Sequence, residues 1–146
     1  MSNPSGKFSK EQKELIVRAI KEAELNTSGE IRVHIENNCH EDVMDRAAYW
    51  FAKLKMHKTE LRNGVLFYLA LNHRKFAILG DVGINSVVRE DFWNDTKEAM
   101  LPYFVDGNFT EGLSKGIQMA GEKLKQYFSY QKDDVNELDD EISFGK

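Results

Sequence analysis

The chain has 146 residues, 41% of them hydrophobic and 30% charged, with a formal net charge of −4 and a sequence pI near 5.6. That length suits one domain with a sizeable core, and the acidic balance argues against a nucleic-acid partner, which needs a basic face. No apolar run approaches the roughly 20 residues of a transmembrane helix, the N-terminus MSNPSGKFSKEQKE lacks an apolar signal core, and the single cysteine, Cys39, excludes an internal disulfide and any CxxC motif; together these favour the cytoplasm.

Residues 1–8 read as a flexible leader. Ser9 and Gln12 have capping-box spacing, which predicts a helix start at Ser9, and Leu15, Ile16, Ala19, Ile20 and Ala23 fall on one helical face. Asn26-Thr27-Ser28-Gly29 ends that helix. Residues 30–36, EIRVHIE, alternate polar and apolar, the period of a half-buried strand. A second helix is predicted over about 42–54, burying Val43, Ala47, Trp50, Phe51 and Leu54. The strand-forming runs 65–70 and 75–79 flank Asn72-His73-Arg74, which reads as a hairpin connection. A third helix is expected over roughly 88–101 with Phe92, Trp93 and Met100 inside, ended or kinked by Pro102. Asn108 and Glu111 resemble a further capping box. The helix after them carries Leu113, Ile117, Ala120, Leu124 and Phe128 on one stripe, with Gly112 and Gly116 one turn apart where another backbone can approach. Beyond Tyr130 the composition turns acidic (Asp133, Asp134, Glu137, Asp139, Asp140, Glu141), so 131–146 is expected to be a disordered tail behind one domain at 9–130.

The strand–helix–strand portion implies a right-handed crossover between parallel strands, and the hairpin adds its second strand antiparallel. The expected fold class is α/β, a small mixed β-sheet covered by helices. In this arrangement the starts of the first two strands and the end of the third share an edge, which makes Glu30, Asn63 and Asp81 predicted neighbours.

SGEIRVHIE, an amphipathic helix, RNGVLFYLALNHRKFAILGDVGI, another helix and PYFVDGNFTEGLSKGI, in that order, resemble the TPM domain family over about residues 8–128. The resemblance implies a three-layer α/β/α sandwich, divalent-cation binding by loops at one sheet edge, and the acid phosphatase activity of plant members. Bacterial relatives stand beside LemA-like membrane proteins, which implies a protein partner at the membrane or envelope. The chain looks like a short soluble bacterial branch without the signal and membrane helix that many relatives carry. Where the family often has Asp-Asn-Gly, this chain has Arg62-Asn63-Gly64. The family's Gly-Tyr-Gly-Leu-Glu-Gly loop becomes Gly80-Asp81-Val82-Gly83-Ile84-Asn85-Ser86, with an acid gained at Asp81 and Asn85 in place of the later Glu.

The candidate metal ligands are Asp81, Asn63 and Asn85, with Glu30 or Glu90 adding a carboxylate. All offer oxygen, as hard cations require: about six to eight ligands for calcium, the preferred ion, and about six for magnesium. The plainer reading of these residues is a pair of turns and a helix cap. Arg62 opposes a second cation nearby; with Arg89 and the glycine-bearing loop it suggests anion binding instead. No catalytic residue is assigned. The four histidines show no HExxH spacing, neighbouring Cys39 and His40 point apart and chelate poorly without outside help, and Ser28 and Ser86 lack a GxSxG elbow. The expected function is a cation-binding or accessory module. The alternatives are a metal-assisted phosphatase, with Asp81 as ligand and Arg62 as charge stabiliser, and a metal-independent protein-interaction domain.

Overall fold

The computed structural model describes residues 3–130 and 136–146; residues 1–2 of the expected leader and 131–135 of the expected tail, Asp133 and Asp134 among them, lie outside the described residues. The order is a 3-10 turn (Pro4–Lys7), α1 (Lys10–Glu24), β1 (Glu30–Glu36), α2 (Val43–Lys53), β2 (Gly64–Ala70), β3 (Lys75–Gly80), α3 (Val82–Asn85), α4 (Asn94–Val105), α5 (Phe109–Leu124) and β4 (Ser143–Phe144). The sheet runs β3-β2-β1-β4. β1 and β2 are parallel, with Glu30 opposite Gly64 and Glu36 opposite Ala70. β2 and β3 form the antiparallel hairpin, with Val65 opposite Gly80.

Strand β2 is central and buried at all seven positions, so its sequence is continuously apolar and does not alternate. One sheet face packs Ile31, Val33, Ile35, Val65, Phe67 and Leu69 against Ile16 and Ile20 of α1, Met100 and Phe104 of α4, and Ile117 and Leu124 of α5. The other packs Leu66, Tyr68, Ala70 and Ala77 against Ala47 of α2, Met56 and Leu138. Helices on both faces make this an α/β/α sandwich.

Several expectations are corrected. The capping box at Ser9 and Gln12 forms, but Leu15 is exposed on the outer side of α1. Pro4 and Phe8 of the supposed leader are buried. The third helix begins later than expected and runs through Pro102. Phe104, two residues past Pro102, is fully buried against Phe76 with ring centroids 4.8 Å apart, and that packing outweighs the missing backbone donor of proline. Asn108 makes no side-chain cap bond. Gly116 does admit a close neighbour: a Cβ there would lie 2.4 Å from the Met100 sulfur.

Two further corrections bear on function. Residues 136–146, read as disordered tail, return to the sheet: Leu138 is buried, and Ser143 and Phe144 pair in parallel with His34 and Ile35. As a result β1 is not half-buried. Its polar side chains Glu30, His34 and Glu36 are 4%, 0% and 2% exposed, because α2 and the C-terminal segment cover the face that alternation assigns to solvent.

Candidate functional site

The expected meeting of Glu30, Asn63 and Asp81 takes place. The Glu30 amide donates to the Asn63 carbonyl at 3.3 Å, and the Asp81 amide donates to the Gly64 carbonyl at 2.9 Å. At this edge the two glycine-flanked loops form a clasp. Arg62, with a left-handed φ of 50°, places its guanidinium on the buried Asp81 carboxylate at 2.8 and 2.9 Å, and Asp81 also caps α3 by accepting from the Val82 amide at 2.7 Å. The Gly83 amide donates to the Arg62 carbonyl. A Cβ on Gly83 would stand 2.1 Å from the Leu61 carbonyl oxygen, so only glycine lets the chains come this close.

That geometry answers for most of the expected ligand set. Both Asp81 oxygens are engaged by a cation the chain supplies itself. The Asn85 side-chain amide donates to the Gly80 carbonyl at 3.0 Å, and that of Asn63 to the Ser28 carbonyl at 3.2 Å. Glu90 is exposed in the turn between α3 and α4. The five residues therefore do not gather as one ligand shell. Among the described residues, no three His, Cys, Asp or Glu side chains stand assembled for a metal.

Glu30 faces a different neighbourhood, a cleft it shares with Glu24, Asn136 and Asp140 and whose rim includes Lys21. Its carboxylate accepts from the Leu138 amide at 2.7 Å and from the Glu137 amide. Burial still pushes its pKa up to about 7, with the Glu137 charge adding to the rise. Glu24 accepts from the Ile31 amide at 2.9 Å; burial first, then its contact with the Asp140 carboxyl, pushes it up to about 9. Asp140 Oδ1 is buried without a hydrogen-bond partner. The cleft thus gathers carboxylate oxygens, one of them without a partner, although Glu24, Glu30 and Asp140 do not stand as a preformed ligand set. Sequence reasoning found Glu30 but missed Glu24 and Asp140, because the tail was not expected to fold back.

The other end of β1 was missed as well. The buried Glu36 carboxylate accepts two bonds from Arg46, at 2.9 and 2.7 Å, one from the Trp50 indole at 2.9 Å and one from the Tyr68 hydroxyl at 2.5 Å. Burial raises its pKa, but His34, Arg46 and Tyr68 outweigh burial and hold it well below the ordinary range. His34 stacks on Trp50 with centroids 3.8 Å apart. Its Nδ1 meets the Ser143 hydroxyl at 2.8 Å, and burial lowers its pKa although Glu36 pulls the other way. Arg46 and Trp50 lie one turn apart on α2; an arginine within the apolar stripe of that helix was the available signal.

The model of the TPM domain family matches residues 1–123. The NMR structure of the BA42 protein from the psychrophilic bacterium Bizionia argentinensis is 50% identical and superposes with a TM-score of 0.89, covering 94% of this chain and 95% of that one. The N-terminal domain of a P. gingivalis protein (19% identity, TM-score 0.68, 85% and 82% covered) and that of the cg2496 protein from Corynebacterium glutamicum (14%, 0.63, 89% and 81%) share the fold. No match is found among curated proteins. No described helix is long and apolar enough to cross a membrane. A family match over most of the chain and a half-identical relative of nearly equal length lead to one conclusion: the chain belongs to the TPM domain family.

Proposed function

We propose that this protein is a divalent-cation-binding module, calcium preferred over magnesium, with the ion drawn to the start of β1, where Glu24, Glu30 and Asp140 line one cleft and would have to close on it. The observation that carries the reading is the pair of raised carboxyl groups in one cleft, at about 9 for Glu24 and about 7 for Glu30. Desolvation and mutual repulsion of such groups are relieved by a proton or by a metal, and the two compete for the same oxygens. Calcium suits loop-borne carboxylates and carbonyls because it accepts about six to eight oxygens in irregular geometry, whereas magnesium demands a near-ideal octahedron. Of the ligands expected from sequence, Glu30 remains central. Asp81 is replaced because Arg62 already neutralises it.

An ion there would fasten residues 136–140 to β1, which suits an accessory role in which a partner, envelope-associated by family resemblance, responds to the state of the C-terminal segment. A metal-assisted phosphatase at this edge has less support, since Arg62 would first have to leave Asp81. Calcium titration of metal-free protein at neutral pH, followed by calorimetry and backbone NMR, tests the reading. The expected result is proton release on binding, with shifts confined to residues 24–30 and 136–140 and lost in Glu30→Gln. Shifts centred on 62–64 and 80–90 and lost in Asp81→Ala would return the site to the clasp. No localised change at millimolar calcium would overturn cation binding altogether.

A further inference from the structure

The sheet ends at β4, whose outer side pairs with no other strand among the described residues. The Gly145 amide donates to the Ile35 carbonyl at 2.8 Å. Alternation along a strand therefore turns the amide and carbonyl of Phe144 the other way, toward the open side. The Phe144 side chain packs on the α1 face of the sheet. Its ring is 6.2 Å from that of Phe8, and Lys13 Nζ stands 5.5 Å from its centre.

Between this edge and α1 runs a groove of about 450 Å³. Val17, Ile142 and Phe144 give it an apolar lining and remain partly exposed. The α1 wall carries Lys10, Lys13, Arg18 and Lys21, and only two acids, Glu14 and Glu141, line the groove with them. Lys13 is used internally, donating to the Ser5 hydroxyl at 2.6 Å. Lys10, Arg18 and Lys21 are exposed and, among the described residues, make no ion pair. On a chain of net charge −4, this is a channel of unmatched positive charge, which draws an anionic partner.

A free strand edge and a cationic channel side by side select one kind of occupant. A flat anionic membrane meets the cations but not the outward backbone groups of β4; an extended peptide meets both. Alternate residues of an added strand face α1, so carboxylates at every second position reach the cations. We propose that the groove between α1 and β4 is a docking site for an acidic, extended segment of a partner protein. The segment adds as a strand beside β4 and places its carboxylates on Lys10, Arg18 and Lys21. Arg18 supplies the fork that grips a carboxylate at two points. From Lys10 to Lys21 the stripe covers roughly 16 Å, which about five residues of extended chain span. The groove meets the carboxylate cleft at Lys21, which rims both, but docking needs no metal.

The test uses a fluorescent peptide of alternating Glu and Val, long enough to span the stripe. It is added at low salt with a chelator present, so the outcome is separate from that of the calcium titration. The expected result is saturable binding, slowed hydrogen exchange at the Phe144 amide, and NMR shifts along residues 10–21 and 141–146. Affinity should fall about threefold or more in Lys10→Glu and in Arg18→Glu, whose side chains are exposed. It should stay unchanged in Lys58→Glu, which alters net charge equally in the exposed loop before β2. The same peptide N-methylated at every backbone amide keeps its charges but cannot pair, and should not bind. No saturable binding, an equal loss in Lys58→Glu, or unimpaired binding of the N-methylated peptide would overturn the proposal. So would phosphatidylserine vesicles that bind through the same cations while the peptide does not, since the face would then be a membrane contact.

Discussion

Glu30 and Glu36 occupy the two ends of β1 on the same sheet face, are buried to the same degree, and behave as opposites. Glu36 meets a guanidinium, an indole and a phenol, so its charge is stabilised inside the protein. Glu30 meets backbone amides and other carboxylates, so its charge is resisted. Burial alone therefore does not set the state of a carboxyl group; the identity of its partners does. A buried carboxylate with every donor in place keeps its charge, whereas one set among other carboxyl groups holds its proton to a higher pH.

The largest expected effect breaks the satisfied end. Arg46→Ala leaves Glu36 buried without its cation, and denaturant unfolding should show a loss of about 3–5 kcal/mol. Next comes Gly145→Ala, since a Cβ at Gly145 would lie 2.7 Å from Glu36 Oε1 and 3.0 Å from His34 Nε2. Neither side chain can yield without breaking the network, so a cost of about 1–3 kcal/mol is expected, with release of β4 visible by hydrogen exchange at Gly145.

The unsatisfied end is sharpened by pH. Glu24 and Glu30 are raised in the folded state from the ordinary 4.5. Their contribution to stability is complete below that value and is lost as pH climbs through about 7 for Glu30 and about 9 for Glu24. Glu36 has the opposite sign: its contribution is present above 4.5 and is lost as pH falls below it. Metal-free protein should thus lose thermal stability between neutral and alkaline pH, and calcium should restore it by mass action. Glu30→Gln keeps an oxygen for the Glu137 and Leu138 amides but does not ionise, so it should flatten that slope and abolish the calcium response together.

The outline of the fold was legible because local signals agreed with it: the Ser9 capping box, the α5 stripe and the hairpin each had a period or a turn that tertiary context did not need to override. The clasp edge was legible for the same reason, since topology alone brings Glu30, Asn63 and Asp81 together. The tail was not legible. Its acidic composition masks the few apolar residues, Leu138, Ile142 and Phe144, that dock on the sheet. That one misreading hid Asp140, and with it the reason Glu24 at the end of α1 is more than a solvated helix residue. It also made EIRVHIE look half-exposed: alternation reports which side chains are polar, and only the covering element decides whether they are buried.

Asp81→Ala should have the smallest effect and divides the two ways of reading the sheet edge. The substitution removes the α3 cap and the Arg62 ion pair, but the Arg62 side chain is 45% exposed and can return to water. The backbone bonds from Asp81 to Gly64 and from Gly83 to Arg62 do not depend on the carboxylate. A loss of about 1–2 kcal/mol follows, mostly from the cap, measured by chemical unfolding. Calcium affinity should not change, because a carboxylate already held by two guanidinium nitrogens contributes nothing to a neighbouring cation. If affinity instead rises in Arg62→Ala and falls in Asp81→Ala, the guanidinium has been competing with the ion, and Asp81 belongs with Glu30 in one site after all.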